Sequence, residues 1–297
     1  MSSDIDELRI LRRAKREARR AKQREQNVVR AARMRAVRLA FERQATSVAR
    51  SSQETKRTGT WVGCSGWFYW HWRDCFYPTG TPTNCWFPHY ARHFNTVELN
   101  APFYSWPTIK TVEAWRRQGA LRRNFRYAVK VCELITHTKR FVGTRTLVRD
   151  FGYIAELLGP RLGCFLFQLP PSFHYTPAAL KRVLSSLDPA RPNVVEFRHR
   201  SWWNADVYRA FRKTGTTFCS CSGPRLPDEL VKTSDDVYVR FHGTQRWYRH
   251  DYTTEELLIW AKRIRASGAR RVWCYFNNDR EGYAIKNARE LLRLLKR

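Results

Sequence analysis

Residues 193–203 read NVVEFRHRSWW. Pro192 and Asn193 break the helical pattern ahead of this stretch. Val194, Val195 and Phe197 then form a short run of β-branched and aromatic residues, as expected of a strand buried on both faces. The run emerges into Glu196, Arg198, His199, Arg200, Ser201 and two tryptophans. A buried strand that ends in charge is the layout found at the C-terminal mouth of a parallel barrel or sheet, where ligands bind.

The same plan recurs on both sides. Apolar runs predict strands near 61–65, 95–99, 125–131, 163–169, 193–197, 216–221, 236–241 and 271–276. Helical patterns fill most gaps, at 109–121, 144–158, 177–187, 203–214, 253–267 and 280–297. Eight strands alternating with helices across residues 61–297 predict an α/β fold of the (β/α)8 TIM-barrel type. An open doubly wound sheet is the alternative. No G-x-G-x-x-G follows the first strand, which removes the dinucleotide-binding version of that alternative.

Ahead of the barrel, residues 1–60 read as an Arg/Lys-rich extension and linker, separate from the domain at 61–297. Residues 5–45 form one long basic segment, helical or disordered, whose few apolar positions offer little to bury. Its densest part carries Arg12, Arg13, Lys15, Arg16, Arg19, Arg20, Lys22 and Arg24, a pattern that suits contact with nucleic-acid phosphates. A nuclear-localisation segment and a solvated helix lying on the domain are the alternatives. Asp4, Asp6, Glu7 and Glu17 count against a mitochondrial transit peptide. Residues 46–60 read as a polar linker.

The net charge of +29 is not confined to that extension. Residues 1–60 hold 17 Lys/Arg against 7 Asp/Glu, and residues 61–297 hold 38 against 19. A domain this basic is expected to attract an anionic small molecule or nucleic acid. No apolar run is long enough for a membrane span, and no signal-peptide core opens the chain. Four of the eight cysteines (Cys132, Cys164, Cys219 and Cys274) lie inside apolar strand-like runs. That suits buried thiols in a reducing intracellular compartment, cytoplasmic or nuclear, better than a disulfide framework. Cys219-Ser220-Cys221 has no zinc-site spacing, and no metal or cofactor is implied.

In a barrel the functional residues collect where strands end. Those exits carry Ser65 and Trp67, Glu98 and Asn100, Lys130, Gln168, Glu196 and Arg198, Arg240 and His242, then Asn277, Asn278 and Asp279. Glu98 and Glu196 are the candidate general acid and base, with His242 as a proton shuttle. The lysine, arginines, serine, tryptophan and amides are candidates for holding an anionic, phosphate-containing substrate. Such a site suits a hydrolase or lyase. The alternatives are a structural ion-pair network closing the barrel top, and a non-catalytic nucleic-acid-binding protein.

Six stretches in order, GCSGWFYWHWRDCFYP (63–78), YARHFNTVELNAPFYSWP (90–107), FQLPPSF (167–173), VEFRHRSWW (195–203), YVRFHG (238–243) and YFNNDREGYAIKNA (275–288), resemble the domain-of-unknown-function family 72, the YecE-like proteins. The resemblance implies a TIM barrel and a shared pocket at the polar positions above, with no reaction attached. Two departures stand out. An acid expected after the sixth strand is replaced by Cys219-Ser220-Cys221-Ser222-Gly223-Pro224, so any chemistry resting on that acid would be altered here. The segment Ala101-Pro102-Phe103-Tyr104 stands where the family usually has threonine before Phe-Tyr.

Overall fold

The structure is a computed structural model that describes residues 2–44 and 58–296. Residues 45–57, which include most of the linker expected at 46–60, lie outside the described residues.

Eight parallel strands form a nearly closed barrel. They are β1 (Gly59–Cys64), β2 (Thr96–Leu99), β3 (Arg126–Lys130), β4 (Leu162–Gln168), β5 (Asn193–Glu196), β6 (Thr217–Ser222), β7 (Asp236–Phe241) and β8 (Arg271–Phe276). Each expected strand is found. β1 pairs with β8, and the ladder runs on through β7, β6, β5, β4 and β3 to β2. The helices are α1 (Ser2–Gln44), α2 (Trp86–His93), α3 (Ala101–Tyr104), α4 (Ile109–Gly119), α5 (Arg145–Gly152), α6 (Ile154–Leu158), α7 (Pro177–Ser186), α8 (Ala205–Thr214), α9 (Thr254–Ala266) and α10 (Tyr283–Leu295). The helix expected over 144–158 is thus two, α5 and α6, meeting at Tyr153.

Between β1 and β2 the barrel is closed by a side chain. The hydroxyl of Tyr90 on α2 accepts from the Cys64 amide (2.8 Å) and donates to the Thr96 carbonyl (2.9 Å). This bridge satisfies a donor and an acceptor that a ladder would otherwise pair. It needs Gly63 beneath it, because a Cβ there would meet Thr96 O at 2.3 Å and the Tyr90 hydroxyl at 2.7 Å.

Strand periodicity sorts the rest. Outward residues such as Val62, Val97, Val129, Phe165, Val195, Phe218, Val239 and Phe276 pack under the helices. Inward residues form a second core of Trp61, Ala128, Cys164, Leu166, Val194, Cys219, Cys221, Tyr238, Trp273 and Tyr275. At its lower end the Trp61 and Trp273 rings stack 4.3 Å apart. The last inward position of each strand therefore falls at the opposite, C-terminal end.

The basic extension is a single helix whose second half is seated on the barrel. Asn27, Ala31, Met34 and Arg38 recur at helical spacing and are all buried. Arg38 pairs with buried Asp150 of α5 at 3.0 Å. Residues 10–22 of the same helix are exposed throughout. Among the described residues no helix is long and apolar enough to cross a membrane.

Candidate active site

The floor of the barrel mouth is one buried guanidinium shared by two buried carboxylates. Arg240 on β7 donates to Glu98 Oε1 on β2 (2.5 Å) and to Glu196 Oε2 on β5 (2.6 Å), and all three residues are fully buried. Period-two alternation explains why they meet: Glu98, Glu196 and Arg240 each occupy a late inward position of their strand. Charges at this depth persist only with good partners.

Those partners give every carboxylate oxygen a donor. Glu98 also accepts from Ser65 Oγ (2.8 Å) and the Tyr238 hydroxyl (2.6 Å). Glu196 accepts from Arg198 Nε through Oε1. Arg198 in turn donates to His242 Nε2 (3.0 Å) and lies 4.6 Å from the Trp247 ring centre. Although burial opposes it, the Arg198 and Arg240 charges hold the Glu196 carboxyl well below the usual carboxylate range. Burial, with the same two arginines beside it, drives the His242 imidazolium far down, so this ring is neutral. Glu196 and His242, expected to move protons, are instead locked in single charge states around neutral pH.

Lys130 is the exception among the mouth's charges. It ends β3, is 8% exposed, and its Nζ makes no hydrogen bond or ion pair among the described residues. It lies over an aromatic face, with the Phe103 ring centre at 4.1 Å. Burial first, and then the neighbouring Arg240, lower its pKa to about 7. The same Phe103 ring meets His137 edge-on at 4.9 Å. His137 sits on a π-helical turn, Leu134–Thr138, that follows β3; such turns recur at functional sites. Burial and the Lys130 charge bring its pKa to about 4.

The remaining expected residues divide. Asn100 donates to the Ser65 carbonyl (3.0 Å) and keeps a buried Oδ1 without a partner, and Asn277 Nδ2 lies 3.4 Å from His242 Nδ1. Gln168 borders the mouth and donates to Leu169 O at 2.6 Å. Three others are not brought to this cluster. Trp67 packs edge-on against Phe87 at 5.2 Å. Asn278 is turned toward α10, donating to Asn287 Oδ1 and to the His250 carbonyl, both at 2.7 Å. Asp279 forms a separate group with Trp72 Nε1 (2.7 Å) and His71 Nε2 (3.0 Å), and burial raises its carboxyl to about 6.

Sequence reasoning missed Tyr238, His137, Trp247 and Asn27. Tyr238 was within reach, standing two residues before Arg240 and hence on the same face. His137 lies on a short π-helical turn and Trp247 in an irregular loop, neither with a periodic signal in the sequence. Asn27 matters because α1 braces the wall beside Lys130. Its side chain donates to Tyr104 O (3.1 Å) and accepts from the Trp106 amide (2.9 Å), pinning the segment that carries Phe103. Arg30 donates to Ser105 Oγ and to Trp106 O, the latter at 3.3 Å. Arg24, expected to reach nucleic acid, instead faces Glu133 (3.4 Å), the residue just before the His137 turn. Arg12, Arg13, Lys15, Arg16, Arg19, Arg20 and Lys22 are exposed.

β6 carries a pair of buried thiols. Cys219 and Cys221 both face inward with sulfurs 3.9 Å apart, and with Glu196 they form the described cluster closest to a metal-ligand geometry. The donor set fits a divalent cation poorly. The Glu196 oxygens are committed to Arg198 and Arg240, and burial pushes the Cys219 thiol far above its ordinary range.

Comparison with known proteins agrees with this architecture. A protein of Bacillus subtilis strain 168, UPF0759 protein YunF, is 27% identical over 270 residues, spanning 79% of this chain and 94% of the relative. UPF0759 protein YecE of Escherichia coli K12 is 36% identical over 111 residues, 37% of this chain and 40% of YecE. The crystal structure of a DUF72 family protein from Thermotoga maritima superposes with a TM-score of 0.72 at 26% identity, covering 80% of this chain and 99% of the other. A DUF72 family protein from Enterococcus faecalis shares the fold, with a TM-score of 0.69 at 19% identity over 80% of this chain and 96% of the other. The family model described as protein of unknown function DUF72 matches residues 61–297, and the chain belongs to that family.

Proposed function

We propose that the barrel mouth is an enzyme active site for a small anionic, phosphate-containing substrate, with Lys130 meeting it and the Glu98–Arg240–Glu196–Arg198 assembly forming a rigid floor. The observation that supports this most is the lysine itself. Every oxygen of both carboxylates already has a serine, tyrosine or arginine donor, while the Lys130 amine, 8% exposed, has no acceptor among the described residues. An ammonium held out of water without an anion is unfavourable, and an anionic ligand would supply the missing partner. With Lys130 protonated, three cations stand against two carboxylates here, so in that state the mouth carries net positive charge before ligand arrives.

In this arrangement Glu98 and Glu196 orient guanidinium groups. Lys130, with a pKa near 7, is the group able to exchange protons at neutral pH. The test is ligand-induced stabilisation. Inorganic phosphate and small phosphorylated compounds should raise the melting temperature of the wild type and lose most of that effect on Lys130→Met. Equal stabilisation of both proteins would refute the assignment.

A second function, nucleic-acid binding through the arm, draws on the exposed cations Arg12 to Lys22. It predicts steep salt dependence of RNA or DNA binding that flattens when residues 1–22 are deleted, by about 0.9 in log–log slope for each duplex phosphate the arm had neutralised. Binding unchanged by the deletion would exclude the arm.

A further inference from the structure

An amine, rather than a third arginine, stands at the mouth. Arg198 and Arg240 show that guanidinium groups are already built into the same cluster. A guanidinium would give stronger bidentate recognition of a phosphate and would stay charged. A primary amine offers what guanidinium cannot: a lone pair, once the proton is gone.

On balance the surroundings of Lys130 favour that loss, because burial and the arginines outweigh the two carboxylates. Arg240 from β7 and Arg198 after β5 repel its proton, while the opposing charges of Glu98 and Glu196 are engaged by those arginines and by Ser65 and Tyr238. His137, on the turn after β3, shares the Phe103 face with the lysine and is neutral. Phe103 covers the amine with hydrocarbon and accepts no proton. A lysine desolvated beside other cations is the arrangement by which proteins make an amine nucleophilic.

We infer that Lys130 is a covalent nucleophile that forms an imine with a carbonyl group of the anionic substrate. The inference rests on the anion site proposed above and adds the substrate class: a small phosphorylated aldehyde or ketone. The neutral Nζ lone pair attacks the carbonyl carbon, and the carbonyl π pair moves to oxygen, which takes up a proton. Nitrogen gives up both of its protons. Loss of the first, against the proton taken by oxygen, leaves the neutral carbinolamine. Loss of the second, against a proton taken by the hydroxyl, lets the C–O bond break and water leave as the C=N bond forms. One amine and one carbonyl become one imine and one water, with no oxidant or reductant. Arg198, which lies over the Trp247 ring and is bonded to the buried neutral imidazole of His242, would hold the phosphate while this proceeds.

Reductive trapping tests it. The full chain is incubated at pH 7 with glycolaldehyde phosphate and cyanoborohydride, and the adduct is located by peptide mass spectrometry. Near pH 7 about half of the Lys130 amines are neutral, against fewer than about one in a thousand for an ordinary lysine. After allowing for the lower basicity, Lys130 should be labelled at least about tenfold faster than each of the other eleven lysines. Excess inorganic phosphate should suppress the labelling. Lys130→Arg, which keeps a cation, should still be stabilised by phosphate yet give no adduct in the 126–131 segment. Labelling of surface lysines alone, with phosphate still stabilising wild type over Lys130→Met, would overturn the imine while leaving the anion site standing. Labelling of Lys130 that phosphate does not suppress would overturn the anion site. Absence of both labelling and phosphate stabilisation would overturn both.

Discussion

Replacing Lys130 by methionine should make the protein more stable near neutral pH and remove a defined part of its pH dependence. Methionine keeps an unbranched apolar stem of similar length against Phe103 and deletes the charge. In the folded protein the amine has a pKa of about 7, whereas the unfolded chain restores a value near 10.4. The unfolded state therefore binds more protons across the window between these values, and stability rises with pH there. The lysine is a liability below about pH 7 and costs nothing once the pH exceeds its unfolded pKa. Between pH 7 and pH 9 the wild type should gain about 2 kcal/mol that Lys130→Met does not. Urea unfolding of both proteins at the two pH values isolates the lysine, because the tyrosines and cysteines that also titrate near pH 9 cancel in the difference. If the wild type and the variant keep the same stability gap at both values, Lys130 has an ordinary pKa and the reasoning about its surroundings is wrong.

Three further outcomes are expected. Tyr90→Phe removes the hydroxyl between Cys64 N and Thr96 O and should cost about 1–3 kcal/mol in urea unfolding, the usual penalty of buried unpaired groups; an unchanged midpoint would show that β1 and β2 close without it. Asn27→Ala should cost a similar amount and speed hydrogen exchange at the Trp106 amide, its partner at 2.9 Å, whereas unchanged exchange there would deny α1 its bracing role. The folded pKa of Asp279, about 6, lies above its unfolded value, so its contribution is full below the unfolded pKa near 4 and declines as pH rises through 6; Asp279→Asn should flatten that part of the stability profile, and an unaltered profile would refute the raised pKa.

The barrel was legible because its strands are buried on both faces and read as apolar runs, and because the family motifs are spread along residues 61–297. Ser65, Glu98, Lys130, Gln168, Glu196 and Arg240 were found together for a related reason. Strand ends point one way in a parallel barrel, and period-two alternation turns their last inward side chains toward each other. Reading failed where the chain leaves the strands. Asn278 and Asp279 follow β8 and looked equivalent to Asn277, yet they bond to α10 and to the first loop. The division of labour was also hidden. Nothing in the composition tells that Glu196 is doubly held by arginines while Lys130, of similar depth, is left with an aromatic ring. The seat of α1 escaped because two of its four buried stripe residues, Asn27 and Arg38, are polar and look solvated until Tyr104, Trp106 and Asp150 are brought to them.

The most direct test is the titration of the Lys130 amine itself, followed by NMR of protein labelled with carbon-13 at the lysine ε carbons. One lysine resonance, missing from Lys130→Met, should titrate near pH 7 and move to higher pH when inorganic phosphate is added, because a bound anion favours the ammonium. If every lysine titrates near the ordinary value of about 10.4, or if the Lys130 signal ignores phosphate, the mouth of the barrel is not the anion site described here.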